Sequence, residues 1–212
     1  MRGWGPGLEF GSPRVALRDS RRRLSPHEHP YRRHRGRGHP RHTLLDAPAD
    51  STAKVFALPE VDGLSPTYFV ALRLTDSAGK LVGSNFYWLS TKPETLDWAK
   101  STWWMTPTDS FADYTALAQL PKVKLKVISS TARKGEDSIT RVTVQNPSKT
   151  LAFFVHLKVE KGVKGEEILP VVWEDNYISL LPGEKREITA AYRASELGAE
   201  KATVKVTGWN VE

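Results

Sequence analysis

From Thr43 onward, apolar residues recur at every second position, which is the period of a half-buried β-strand and not of a helix. Lys54 to Leu58 is a short strand stopped by Pro59, and Thr67 to Thr75 sets Tyr68, Val70, Leu72 and Leu74 on one face. The turn formers Asp76-Ser77-Ala78-Gly79-Lys80 follow, and Leu81 to Leu89 returns, so the pattern predicts a hairpin with a loop of about five residues. Two or three strands cannot close a sandwich, so residues 43–90 read as the last part of a β-sandwich whose beginning is missing.

Residues 121–212 carry the fullest pattern. Lys122 to Val127 alternates strictly, and Ser138 to Gln145 runs into the turn Asn146-Pro147-Ser148. Leu151, Phe153, Val155, Leu157 and Val159 then share one face of a long strand, followed by candidates at Ile168 to Trp173, Tyr177 to Leu181, Lys185 to Tyr192 and Ala202 to Trp209. About seven short strands in roughly 90 residues is the spacing of an immunoglobulin-like sandwich. In Leu181-Pro182-Gly183-Glu184, proline fixes φ and glycine accepts a left-handed conformation, as a turn requires.

Between these stretches, residues 91–120 form a Trp-rich inter-domain linker. Thr91 and Thr95 are candidate helix caps, Pro93 fits a first turn, and a short helical stretch is expected near Phe111 to Leu120. Four of the seven tryptophans, Trp88, Trp98, Trp103 and Trp104, lie here or just before it. Such residues either anchor a domain interface or stack on sugar rings. All four are candidates for those roles.

Charge changes the picture only at the N-terminus. The chain of 212 residues carries a formal +7, yet residues 1–42 hold eleven Arg against three acids, a net of +8. Residues 43–212 sum to −1, and every lysine lies there. A segment so poor in apolar side chains is expected to be disordered. Three readings of it stand side by side: an Arg-rich arm for phosphate backbones, a solvated tail, or a non-native start. Because the excess charge is confined there, the folded part gives no reason to expect a nucleic-acid partner.

Several chemistries are excluded. With no cysteine there is no disulfide, no thiolate nucleophile and no Cys-based zinc site. No apolar run approaches the ~18 residues that span a bilayer, so no membrane partner is expected. Met1-Arg2-Gly3-Trp4-Gly5-Pro6-Gly7 lacks a continuous apolar core, so no signal peptide is expected and the compartment stays open. The acid pairs Glu166-Glu167 and Glu174-Asp175 are adjacent in sequence and point to opposite faces of an extended chain, which suits turns better than a glycosidase pair. His156 shares its strand face with Lys158, opposite the apolar row, and reads as a surface residue. The chain offers no phosphate loop, nucleophile elbow or His-Glu metal motif, so no catalytic, cofactor-binding or metal residue is assigned and no cofactor is expected.

The runs Tyr68-Phe69-Val70-Ala71-Leu72, Ser84-Asn85-Phe86-Tyr87-Trp88-Leu89-Ser90-Thr91-Lys92-Pro93-Glu94-Thr95-Leu96-Asp97-Trp98, Ser101-Thr102-Trp103-Trp104-Met105-Thr106-Pro107 and Trp173-Glu174-Asp175-Asn176-Tyr177-Ile178-Ser179-Leu180-Leu181-Pro182-Gly183-Glu184 resemble the C-terminal end of glycoside hydrolase family 2 enzymes. The likeness is greatest to the exo-β-D-glucosaminidase branch, with the β-mannosidase and mannosylglycoprotein endo-β-mannosidase branch next. It covers about residues 43–212.

The resemblance implies a parent of five domains whose catalytic glutamates lie in a (β/α)₈ barrel that has no counterpart here. It implies a non-catalytic accessory fragment with that barrel as partner, the parent acting on terminal β-linked glucosamine of chitosan-type chains. The alternatives are a stand-alone carbohydrate-binding module for chitosan or another polysaccharide, and a fragment of a β-mannosidase-type enzyme. The expected fold class is all-β: an immunoglobulin-like sandwich at 121–212, preceded by a partial sandwich and a disordered basic N-terminal segment.

Overall fold

The computed structural model describes residues 64–212 apart from 77, 79 and 164, together with Lys54, Ala57 and the strand backbone of Arg14–Arg18 and Arg41–Leu44. Contacts divide the chain into two units, Met1–Gln119 and Leu120–Glu212.

In the first unit, β1 (Arg14–Arg18), β2 (Arg41–Leu44), β3 (Thr67–Thr75) and β4 (Leu81–Ser90) form an antiparallel sheet in the order β2-β1-β3-β4, and the short β5 (Thr95–Leu96) and β6 (Thr108–Ser110) pair with each other. The hairpin expected at 67–89 is present, and Asp76 closes it by accepting the N–H groups of Ala78 and Lys80 through Oδ1. Disorder is expected over 1–42, whereas Val15-Ala16-Leu17, the longest apolar run of that stretch, sits in a strand whose backbone pairs with β3. The rest of 1–42 lies outside the described residues, as do Val55, Phe56 and Leu58 of the strand expected at 54–58.

The expected face of β3 needs correction. Phe69, Val70 and Ala71 are buried while Tyr68, Leu72 and Leu74 are half-buried, so the strand is covered on both sides. The reason is a 3-10 segment, Thr115–Gln119, that packs against β3 with Leu117 buried. Fully buried Thr67 donates its hydroxyl to the Asp113 carbonyl at 2.8 Å, tying the strand to the start of that segment.

The second unit is the sandwich. Its first sheet joins β10 (Val172–Trp173), β12 (Lys185–Arg193), β8 (Asp137–Gln145) and β7 (Lys126–Lys134) in that order. The second joins β11 (Ile178–Leu180), β9 (Ala152–Lys161) and β13 (Ala202–Thr207). Of the named strands of this unit, β7 and β8 form a hairpin, and each later connection between them crosses to the other sheet, as in an immunoglobulin-like fold. Alternation fills the space between: Val142, Val144 and Ile188 from one sheet meet Val155, Leu157, Ile178 and Leu180 from the other. Each such side chain stabilises the fold by about 1.5–3 kcal/mol relative to exposure.

Thr140 and Asn146 show how polar groups are paired inside this core. Thr140 is hydrogen-bonded to both Tyr192 and Thr131 through hydroxyls 2.8 Å apart. Asn146, fully buried, donates to the carbonyls of Thr150 and Leu180 and accepts from Ser148. The turn after β11 is built as the sequence predicts, with Gly183 at φ 76° and the Glu184 N–H on the Leu181 carbonyl. One strand is displaced from its expected place. The alternation over Lys122 to Val127 does turn Val123 and Leu125 inward, but Val123 makes an isolated parallel bridge to Val211, and the long ladder with β8 begins only at Lys126.

Candidate docking surface

Residues 91–119 fall within the first unit, and no helix starts at Thr91 or Thr95. The capping residue is Asp97, whose Oδ1 accepts the Lys100 N–H of a single 3-10 turn, Trp98–Lys100, while its Oδ2 pairs with Lys100 Nζ at 2.6 Å. Small polar side chains here bond to nearby backbone, and this competes with helix. From Asp97 to Pro107 the chain doubles back on itself. The Asp97 N–H donates to the Pro107 carbonyl at 2.8 Å, Ser101 and Thr106 share a hydroxyl bond at 2.7 Å, and the Thr102 N–H donates to the Met105 carbonyl at 2.8 Å. The Thr102 hydroxyl also accepts the Met105 N–H.

Trp103 and Trp104 are the two central residues of that last turn. They are 95% and 65% exposed, and Trp98 at the base of the same loop is 72% exposed. The structure thus brings three of the four candidate tryptophans onto one small hydrogen-bonded loop. Trp88 stands apart on β4, opposite Phe69 of β3 and partly covered. Phe111 adds a further exposed ring. At Asp113, hydrogen bonds from the Thr115 hydroxyl and N–H hold the carboxyl below its ordinary range.

On the second unit, the acid pairs behave as turn and surface charges. Glu167 binds Lys158 Nζ at 2.6 Å, Glu174 accepts from Thr189, and Asp175 pairs with Arg186. No group of three or more His, Asp or Glu is gathered for a metal among the described residues. His156 is half-buried beside Lys158, on the face opposite Val155 and Leu157. Burial, reinforced by the Lys158 charge, pushes its imidazole below the usual pKa of 6.5.

The ring of His156 stacks on Tyr177 at 4.3 Å and 9°, and Tyr177 also meets Phe154 at 5.1 Å. Phe154 continues to Phe153 at 5.7 Å, and Phe153 meets Trp209 edge-on at 6.4 Å. Tyr177 and Trp209 are each about half exposed. Nothing in the residue pattern predicts this row, because it depends on backbone geometry. Phe154 and Tyr177 are the two non-glycine residues with positive φ among the described residues, at 55° and 52°. Phe154 lies in a bulge, where pairing of β9 with β11 shifts by one residue between Val155 and Ala152. A bulge of this kind re-aims a side chain, and each left-handed aromatic costs about 1–3 kcal/mol. Gly208 passes so close to the carbonyls of Phe153 and Phe154 that a Cβ would crowd them at 3.3 Å and meet Val211 at 2.7 Å.

Residues 103–211 match the family described as the exo-beta-D-glucosaminidase Ig-fold domain. The chain belongs to this glucosaminidase Ig-fold family. Its curated relatives agree: the exo-beta-D-glucosaminidase of Streptomyces avermitilis is 46% identical over 76% of this chain and 18% of its own length. That of Amycolatopsis orientalis is 42% identical over 74% of this chain and 16% of its own length. The solved exo-chitosanase CsxA of Amycolatopsis orientalis superposes with a TM-score of 0.80 at 34% identity, covering 94% of this chain and 22% of that one. The glucosaminidase Ig-fold chain thus spans less than a fifth of the curated relatives named here, and it is the Ig-fold portion of such glycoside hydrolase family 2 proteins.

Proposed function

We propose that this chain is the non-catalytic accessory portion of an exo-β-D-glucosaminidase-like enzyme, and that its working partner is the catalytic barrel of that enzyme. The parent enzyme would release terminal β-linked glucosamine from chitosan-type chains. The observation that carries this reading is the Trp103-Trp104 turn: two neighbouring tryptophans, exposed and held by hydrogen bonds on both sides of the tip. Rigid aromatic anchors of this kind dominate binding energy at protein interfaces because little conformational freedom is lost when they dock.

Two measurements test it. The purified chain alone, given chitosan oligosaccharides and an aryl β-glucosaminide, is expected to give no sustained turnover; steady hydrolysis would overturn the accessory role. A barrel-containing portion of a relative should capture the chain, and the double variant W103A/W104A should weaken capture by about 100-fold, the scale of an interface hot spot. Equal capture of the variant would overturn the assignment of the turn as the anchor.

A further inference from the structure

The aromatic row on the second unit is not explained by the accessory role. Its strain is local and specific: the two left-handed aromatics, 23 residues apart in sequence, are in ring contact with each other. Asn176 fixes the second of them. Its Oδ1 accepts the N–H groups of both Leu157 and Tyr177 at 2.9 Å, and its Nδ2 donates to the Leu157 carbonyl at 3.0 Å. The side chain therefore takes the place of a strand neighbour to β9 and holds Tyr177 over His156. A packing role would be met by rings in ordinary backbone geometry. Strained residues persist where the surroundings over-determine them, and they cluster at ligand sites.

We propose that Phe154, Tyr177, His156 and Trp209 form a stacking site for β-linked glucosamine residues, separate from the Trp103-Trp104 turn. The ligand class rests on the family reading given above; the site itself rests on the geometry. His156 takes one face of Tyr177, which leaves the rest of this half-exposed ring and the half-exposed Trp209 ring to stack on the axial C–H groups of a pyranose and to attract an ammonium group by their quadrupole. The surround is polar, as sugar hydroxyls require. Lys158 lies beside Tyr177 with its charge matched by Glu167, so it can hydrogen-bond without presenting a bare cation to an amino sugar.

Titrating the ¹⁵N-labelled full chain with the hexaose of β-1,4-linked glucosamine tests this. Saturable shifts are expected at the amides of Phe154, Asn176 and Tyr177 and at the Trp209 indole N–H. Y177A and W209A should each bind about tenfold more weakly, the loss expected for one stacking ring, with native spectra elsewhere. F154G removes the ring and the left-handed penalty together; it should weaken binding, with a smaller loss of denaturation midpoint than F154A, which keeps the penalty. Shifts centred on Trp103 and Trp104, no saturable shift, or undiminished binding by Y177A would overturn the site. Equal affinity for cellohexaose would overturn the amino-sugar assignment. The accessory reading is judged by turnover and barrel capture, so failure here leaves it standing.

Discussion

Asn210 accepts the N–H of Phe153 at 2.8 Å through Oδ1, while its Nδ2 donates to the carbonyls of Pro121 and Leu151, both at 2.8 Å. One side chain, 1% exposed, thereby ties three segments of the second unit together at the end of the aromatic row. Asn210→Ala strands one donor and two acceptors. A loss of about 3 kcal/mol is expected from unsatisfied buried groups, read as a lower urea midpoint at unchanged slope. A change below about 1 kcal/mol would mean water replaces the amide.

Trp103 and Trp104 contribute to docking and not to folding in this picture. W103A/W104A should alter stability by no more than about 0.5 kcal/mol, as exposed substitutions do. Leu157→Ala, at a site 1% exposed in the sandwich core, should cost about 2–5 kcal/mol. Thermal unfolding of the two variants side by side measures the contrast.

His156 should titrate below 6.5, because burial and the Lys158 charge both disfavour the imidazolium while Glu167 opposes them only in part. The unfolded chain then binds more protons than the folded chain between the folded pKa and the unfolded value near 6.5. This contribution to stability is complete above about pH 6.5 and is lost as pH falls through that window. An NMR titration of the His156 ring gives the midpoint directly. H156Q should flatten the acid side of the stability profile by the same increment.

The second unit should fold by itself. Its core draws on both of its own sheets, so residues 120–212 expressed alone are expected to unfold in one cooperative transition with slow amide exchange in β8, β9 and β12. In the full chain, amides of 43–90 are expected to exchange faster than these. Uniform protection across both regions would contradict the expectation.

The sandwich is legible because Val142 and Val144 of β8, Val155, Leu157 and Val159 of β9, and Ile188, Ala190 and Tyr192 of β12 recur at two-residue spacing, and because Asn146-Pro147 and Pro182-Gly183 mark where strands end. β7 was misplaced for the opposite reason. Its exposed Ser129-Ser130-Thr131-Ala132 carries no apolar period, and only pairing with β8 makes it a strand. The four tryptophans were identifiable by composition, but the loop that groups three of them was not, since Ser101, Thr102 and Thr106 signal turns of many kinds. Phe154 and Tyr177 gave no signal at all. Bulky L-residues disfavour positive φ, and only the tertiary register of β9 against β11 imposes it.

The parallel bridge between Val123 and Val211 also has a mechanical consequence. The Val123 N–H donates to the Asn210 carbonyl, and the Glu212 N–H donates to the Val123 carbonyl, beside the Asn210 side-chain bond to Pro121. Tension applied between residues 120 and 212 pulls these two parallel segments past each other along their length. All three bonds then bear the load together instead of parting one by one. Stretched between handles at those positions, the sandwich should resist as a shear clamp until this patch yields.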